Sequence, residues 1–313
     1  MCTLIVLHRC LADRPLVVAA NRDEFLARPA EDFAIRPSST GPILSPLDLE
    51  AGGTWVGLSQ RGVFAGLTNL RPQPGSRAAR KPANELSSRG DVVMMALESE
   101  SAAQAARKAE QLPLATYNDF QLMVADGRDA FLVVYRDRPV VVELEPGPHI
   151  VGNVETESIA ARIGDALLAD GDETDRERVK MSEAYPGFEG LESVVDEVEP
   201  RSIKLTRIQS RVEKMVTEPT FDLFEGLARI CREHVGDEGV ESAFEATCVH
   251  ISEGADKPDR YGTRSSLLLE LSVDEGSSRL WTTDGAPCVR PFENRSVLLK
   301  DLGVRLGDSA GPH

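Results

Sequence analysis

Leu4-Ile5-Val6-Leu7-His8, then Cys10-Leu11-Ala12-Asp13-Arg14, then Leu16-Val17-Val18-Ala19-Ala20, closing on Asn21-Arg22-Asp23-Glu24, is the stretch that decides the fold. Two apolar runs flank a polar turn, the pattern of an antiparallel hairpin. In such a hairpin the end of the second strand returns beside the start of the first. Spacing alone therefore brings Asn21 to Glu24 next to Cys2. Removal of Met1 would leave Cys2 with both a thiol and a free α-amine. An α-amine has a pKa of about 8, and a terminal amine can activate a terminal nucleophile. A strand would hold the sulfur rigidly, where chain ends otherwise fray. The plain alternative is a cysteine that follows the initiator methionine by chance.

Further along, Arg28 to Glu50 is rich in Pro, Ser and Gly and reads as a surface loop. Gly52-Gly53-Thr54-Trp55 opens a second hairpin, Thr54–Ser59 and Val63–Thr68, with Gly57 and Gly66 marking close backbone approach. Arg71–Pro82 reads as another loop. Asn84–Gln111 reads as helix, broken at Arg89-Gly90-Asp91. Phe120–Ala125, Ala130–Tyr135 and Pro139–Leu144 form a meander. Ser158–Ala169 and Phe221–His234 have helical character, and Asp170–Arg178 is a solvated charge run. Glu245–Ser252, Leu267–Val273 and Arg279–Thr283 read as strands. The order of elements predicts an α+β fold of largely antiparallel sheets, not alternating βαβ units. No linker or repeat divides the chain, so residues 1–313 are expected to form a single domain with the last ~10 residues frayed.

The 313 residues carry a net charge of −16. That balance disfavours nucleic acid, which needs a basic surface. Acidic residues in excess, with basic residues drawn mostly from Arg, suit a host with high internal salt. No apolar run approaches the ~20 residues of a membrane span, and the opening run is too short for a signal peptide. Five cysteines, Cys2, Cys10, Cys231, Cys248 and Cys288, are scattered and odd in number. A reducing cytoplasm is expected. His8 with Cys10, and Cys248 with His250, alternate as one strand face would. Metal ligation by them is conceivable, but buried structural roles are the expectation, and no metal is assigned.

At Ala19-Ala20-Asn21-Arg22-Asp23-Glu24-Phe25 the chain resembles the NRDE family, also called transport and Golgi organisation protein 2-like. The resemblance continues in Met1-Cys2, Gly52-Gly53-Thr54-Trp55, Arg61-Gly62 and Leu67-Thr68-Asn69. It returns at Tyr117-Asn118-Asp119-Phe120, Gly152-Asn153 and Tyr261-Gly262-Thr263-Arg264. The points are collinear over nearly the whole chain, and the acidic insert near Asp170 lies outside them. This family is similar in turn to N-terminal nucleophile hydrolases, which implies a four-layer αββα sandwich of two antiparallel sheets.

The nearest functional pattern, that of cysteine amidases acting on bile salts and penicillin V, implies a set of roles. Cys2 would be the nucleophile, Asp23 the carboxylate orienting its amine, and Asn69 an oxyanion donor. Asn153 would steady the site and Arg264 would lower the thiol pKa. Asn21, Arg22, Glu24, Trp55 and Tyr261 would bind substrate or support the site. The amidases carry Arg before the motif Asn, where this chain has Ala20. Arg22 would substitute only from what is expected to be the opposite face of the strand.

Structural roles compete at each position: an Arg22–Asp23 ion pair, turns at Asn69 and Asn153, a core Trp55. Two functions follow. One is an N-terminal cysteine hydrolase of an amide or acyl bond in a small molecule. The other is a non-catalytic ligand-binding or trafficking protein using the same pocket for haem, lipid or acyl-CoA. No cofactor is expected. Haem, with His8 and His149 as axial ligands, is the weakest of the ligand readings.

Overall fold

The computed structural model describes residues 2–70, 82, 85–136, 138–156, 159–163, 200–218, 222–252, 259–274 and 276–306. The opening hairpin forms as expected, from β1 (Cys2–Leu11) and β2 (Arg14–Phe25), paired antiparallel. Further strands follow as β3 (Ala30–Arg36), β4 (Ile43–Asp48), β5 (Val56–Ser59) and β6 (Phe64–Asn69). The helices α1 (Arg89–Leu97) and α2 (Ala102–Glu110) come next. The meander is β7 (Phe120–Ala125), β8 (Ala130–Arg136) and β9 (Arg138–Glu143), and β10 (Gly147–Val151) follows it. The helices α3 (Pro200–Thr217) and α4 (Leu223–Arg232) precede β11 (His250–Ser252), β12 (Asp259–Leu271), β13 (Arg279–Asp284), β14 (Glu293–Asn294) and α5 (Val297–Leu302).

Two seven-stranded antiparallel sheets result among the described residues. One runs β10-β1-β2-β12-β13-β14 with β11 on β12, and the other runs β3 to β9 in chain order. Side-chain alternation then builds the layers. Leu4, Val6, Leu16, Val18 and Ala20 point between the sheets, against Val56, Phe64, Met123 and Leu132. Ile5, Leu7, Val17 and Ala19 point outward, under Leu205, Ile208, Phe224 and Leu227 of α3 and α4. The far sheet buries Leu67, Leu122 and Val133 under α1 and α2. Each such aliphatic side chain contributes about 1.5–3 kcal/mol by leaving water, so the hairpin, buried on both faces, is the keel of an αββα sandwich.

Three expectations need correction. Arg28–Glu50 is not a loop: it holds β3 and β4, with Phe33, Ile43 and Leu44 buried. Pro46 is tolerated because the β3–β4 register shifts between Glu31 and Ala34 and the β4–β5 pairing ends at Leu44. The helical break is not at Arg89-Gly90-Asp91. Ser88 caps α1 by accepting from the Gly90 N–H, and the break falls at Ser101, the cap of α2. Of Glu245–Ser252, only His250–Ser252 is strand. Arg71–Pro82 (save Pro82), Asp170–Arg178 and most of Ser158–Ala169 lie outside the described residues, as do the last seven positions.

His8 is buried at 1% exposure, and Asp126 is the neighbour that favours its protonated form. Burial, with His149 and Arg9 adding to it, lowers its pKa from 6.5 to about 4. Between those values the unfolded chain holds the extra proton. Stability therefore falls as pH drops through the window, by at most about 3 kcal/mol. Replacing His8 by Phe is expected to flatten that slope in urea unfolding compared at about pH 7 and about pH 5. An unchanged slope would remove His8 as its source.

Candidate active site

The site is assembled where the keel hairpin meets the seam between the sheets. Cys2 pairs directly with Arg22 across β1 and β2, and Leu4 pairs with Ala20. Directly opposed residues share a face, so Cys2 and Arg22 both look toward the space between the sheets. Positions 20 and 22 are two apart and also share that face. Arg22 thus does not leave on the opposite side, as the sequence reading had it. Its Nη2 lies 3.2 Å from Asp48 and 3.7 Å from Glu24.

The Cys2 main-chain nitrogen donates to Asn153 Oδ1 at 2.6 Å. This is the atom that becomes the α-amine when Met1 is removed. The Asn153 amide in turn donates to the Asn69 carbonyl oxygen. One residue earlier, the Gly152 carbonyl accepts Thr68 Oγ1 at 2.6 Å and Gln121 Nε2 at 2.9 Å, both from the facing sheet. A Cβ on Gly152 would meet Leu205 of α3 at 2.9 Å. Asn153 is therefore clamped between sheet and helix, and Asn69 stands exposed at the end of β6 beside it.

Asp23 leaves β2 on the other face, the α3 side, and is buried. Its Oδ1 accepts Thr263 Oγ1 at 2.6 Å, and its carbonyl accepts the Tyr261 hydroxyl at 2.9 Å. Burial raises its pKa, while the positive amino terminus, Lys204, the Thr263 hydroxyl and His250 hold it down. Gly262, between these two partners, is required by space: a Cβ would sit 2.5 Å from the Val249 carbonyl oxygen.

Cys2 itself is 9% exposed. Burial raises the thiol pKa; the amino-terminal charge opposes this, Asp23 adds to it, and Arg22 opposes it. Arg264 sits in the bulge of β12 between the Thr263 and Ser265 pairings, and its Nη1 bonds Asp284 at 2.6 Å. Asn21 is a structural tie. Its amide donates to the Cys231 and Thr247 carbonyls, both at 2.9 Å, and its Oδ1 accepts Ser266 at 2.6 Å. Glu24 accepts from the Phe25 N–H at 2.9 Å, and Trp55 packs partly buried against the inter-sheet core.

Sequence reading missed two cations. Burial lowers the pKa of Arg89, at the start of α1, while Cys2 and Glu24 oppose that shift. Lys204 of α3 is 2% exposed, while its neighbour Ile203 is 38% exposed. Burial lowers the Lys204 pKa, and the charges of Asp23 and Cys2 raise it. The signal was there: Lys204, Ile208 and Val212 share one helical stripe, so a lysine occupies an apolar face.

Two antiparallel sheets face to face with helices outside make the fold of the N-terminal nucleophile hydrolases. A solved structure with this fold, a cysteine-to-alanine mutant of conjugated bile acid hydrolase from Clostridium perfringens, is similar to the chain at a TM-score of 0.52 and 12% identity, over 94% of this chain and 96% of that one. The chain belongs to the family Transport and Golgi organisation 2, whose model matches residues 1–278. It is 28% identical to the human Transport and Golgi organization protein 2 homolog over 92% of this chain and 88% of that one. To the Bos taurus homolog it is 30% identical over 83% of each. No helix among the described residues is long and apolar enough to cross a membrane.

Proposed function

We propose that the protein is an N-terminal cysteine hydrolase that cleaves an amide or acyl bond of a small molecule through an acyl-enzyme on Cys2. The observation that carries this reading is the Cys2 nitrogen held by Asn153, with Asp23 and Lys204 behind it and Arg22 beside it. With Met1 removed, the amine takes the thiol proton and Asp23 orients the resulting ammonium. The thiolate adds to the substrate carbonyl carbon. The Asn69 side-chain amide donates to the oxyanion, and Arg22 and Arg89 favour the thiolate electrostatically. Collapse breaks the bond to the leaving group, which takes the proton from the ammonium. Water, deprotonated by the same amine, then releases the acid. Fold likeness to a bile acid hydrolase supports the class, not that substrate.

A second reading, ligand binding without turnover, is favoured by a cavity of about 590 Å³ lined by Leu132, Val142, Leu144, His149 and Leu205; Cys2, Asp23, Asn69 and Asn153 are not among its lining residues, so such a ligand would not sit in the pocket the sequence reading assigned to it. His149 there bonds the Glu145 carbonyl at 2.8 Å. The test screens N-acyl amides, thioesters and acyl-CoAs against wild type and Cys2→Ser, with intact mass to establish loss of Met1. Turnover and an acyl adduct on Cys2, both lost in the variant, are expected. Retained Met1, or ligand binding without turnover and independent of Cys2, would overturn the hydrolase.

A further inference from the structure

Cys248, His250 and Cys288 converge on one point. The two sulfurs are 3.4 Å apart, and His250 Nε2 lies 3.6 Å from Cys248 Sγ and 3.1 Å from Cys288 Sγ. All three donor atoms fall within 4.8 Å of one another. Zinc bonds of about 2.3 Å to sulfur and about 2.0–2.1 Å to nitrogen give tetrahedral edges of about 3.7 Å for S–S and about 3.5 Å for S–N. The observed triangle is close to one face of that tetrahedron. Thiols are weak donors and weak acceptors, so this trio gains little from its mutual contacts alone. Two soft sulfurs and an imidazole select a thiophilic ion over Mg²⁺ or Ca²⁺.

The backbone holds the triangle from two sides. Cys248 and His250 flank Val249, whose N–H donates to Thr263 Oγ1 at 2.8 Å and whose carbonyl accepts the Thr263 N–H at 2.9 Å. Cys288 lies in the turn after β13, closed by the Val289 and Arg290 N–H groups on the Ala286 carbonyl. His250 also lines a cavity of about 330 Å³ with Thr263, Arg264, Ala286 and Val289, so the open space reaches the histidine corner of the triangle and the chain neighbours of both cysteines.

We propose that Cys248, His250 and Cys288 form a binding site for a thiophilic divalent cation of the zinc class, with solvent as the fourth ligand. The ion ties β11 to the turn after β13. Because the Thr263 hydroxyl that Val249 engages also holds Asp23, the ion stiffens the support of Asp23 as well. The site stands independently of any reaction at Cys2.

The test titrates reduced, metal-free full chain with Co²⁺ and then Zn²⁺, the latter against a chromogenic chelator. One ion per chain and a thiolate-to-cobalt absorption band are expected. Losing an outer-shell partner alone costs about 10–100-fold in affinity, so Cys288→Ser and His250→Gln should each weaken binding by more than about 100-fold. Cys10→Ser should leave it unchanged. Circular dichroism checks folding, and His250→Gln serves if Cys288→Ser does not fold. No uptake by the reduced chain, uptake without the thiolate band, or uptake unaltered in the folded variants would overturn the site.

Discussion

Replacing Lys204 by Met is expected to destabilise the protein by more than about 0.5 kcal/mol, because it takes a buried positive charge from the surroundings of the buried Asp23 carboxylate. Methionine keeps the length and apolar contacts of the stem, so the loss isolates the charge. Asp23 would remain buried with one cation fewer to hold its carboxylate, and its pKa would climb. The midpoint of urea unfolding should fall with m unchanged. Asp23→Asn in the same chain should recover part of the loss, as coupled sites do. A change below about 0.5 kcal/mol, the range of ordinary surface substitutions, would mean that the ammonium reaches water and does not serve Asp23.

For the proposed hydrolysis, replacing Asn69 by Ala is expected to lower kcat by about 10²–10³, the usual effect of losing one oxyanion donor. Stability should stay within about 0.5 kcal/mol, because the contact to Asn153 is made by the Asn69 carbonyl, which the substitution keeps. Asn153→Ala separates the two roles: it removes the partner of the Cys2 nitrogen and should impair stability and turnover together. An Asn69→Ala variant with unchanged kcat would remove that side chain from the proposed mechanism.

What could be read in advance follows from how local the signal is. The keel hairpin was legible because both strands and their turn lie within 24 residues of uniform polarity pattern, and pairing geometry then placed Asp23 and Arg22 near Cys2. The αββα layering came from family resemblance, since strand order between distant hairpins leaves no local trace. β3 and β4 were hidden because Pro37, Pro42 and Pro46 look like loop chemistry when the register shift that accommodates Pro46 is unseen. The bulge that carries Arg264 in β12, and the bond of its side chain to Asp284, leave no local trace in the sequence. Lys204 and Cys288 reach their partners from far along the chain, so spacing could not join them to Asp23 or to His250.

Thr68 and Gln121 grip the Gly152 carbonyl from across the sandwich, so the alignment of the sulfur with its helpers depends on how the two slabs are indexed to each other. A sideways slip of about 1 Å can cost 10²-fold in rate while leaving every strand intact. For the proposed hydrolase, repacking of side chains deep between the slabs, far from the thiol, would then register first as slowed turnover and only later as lost folding.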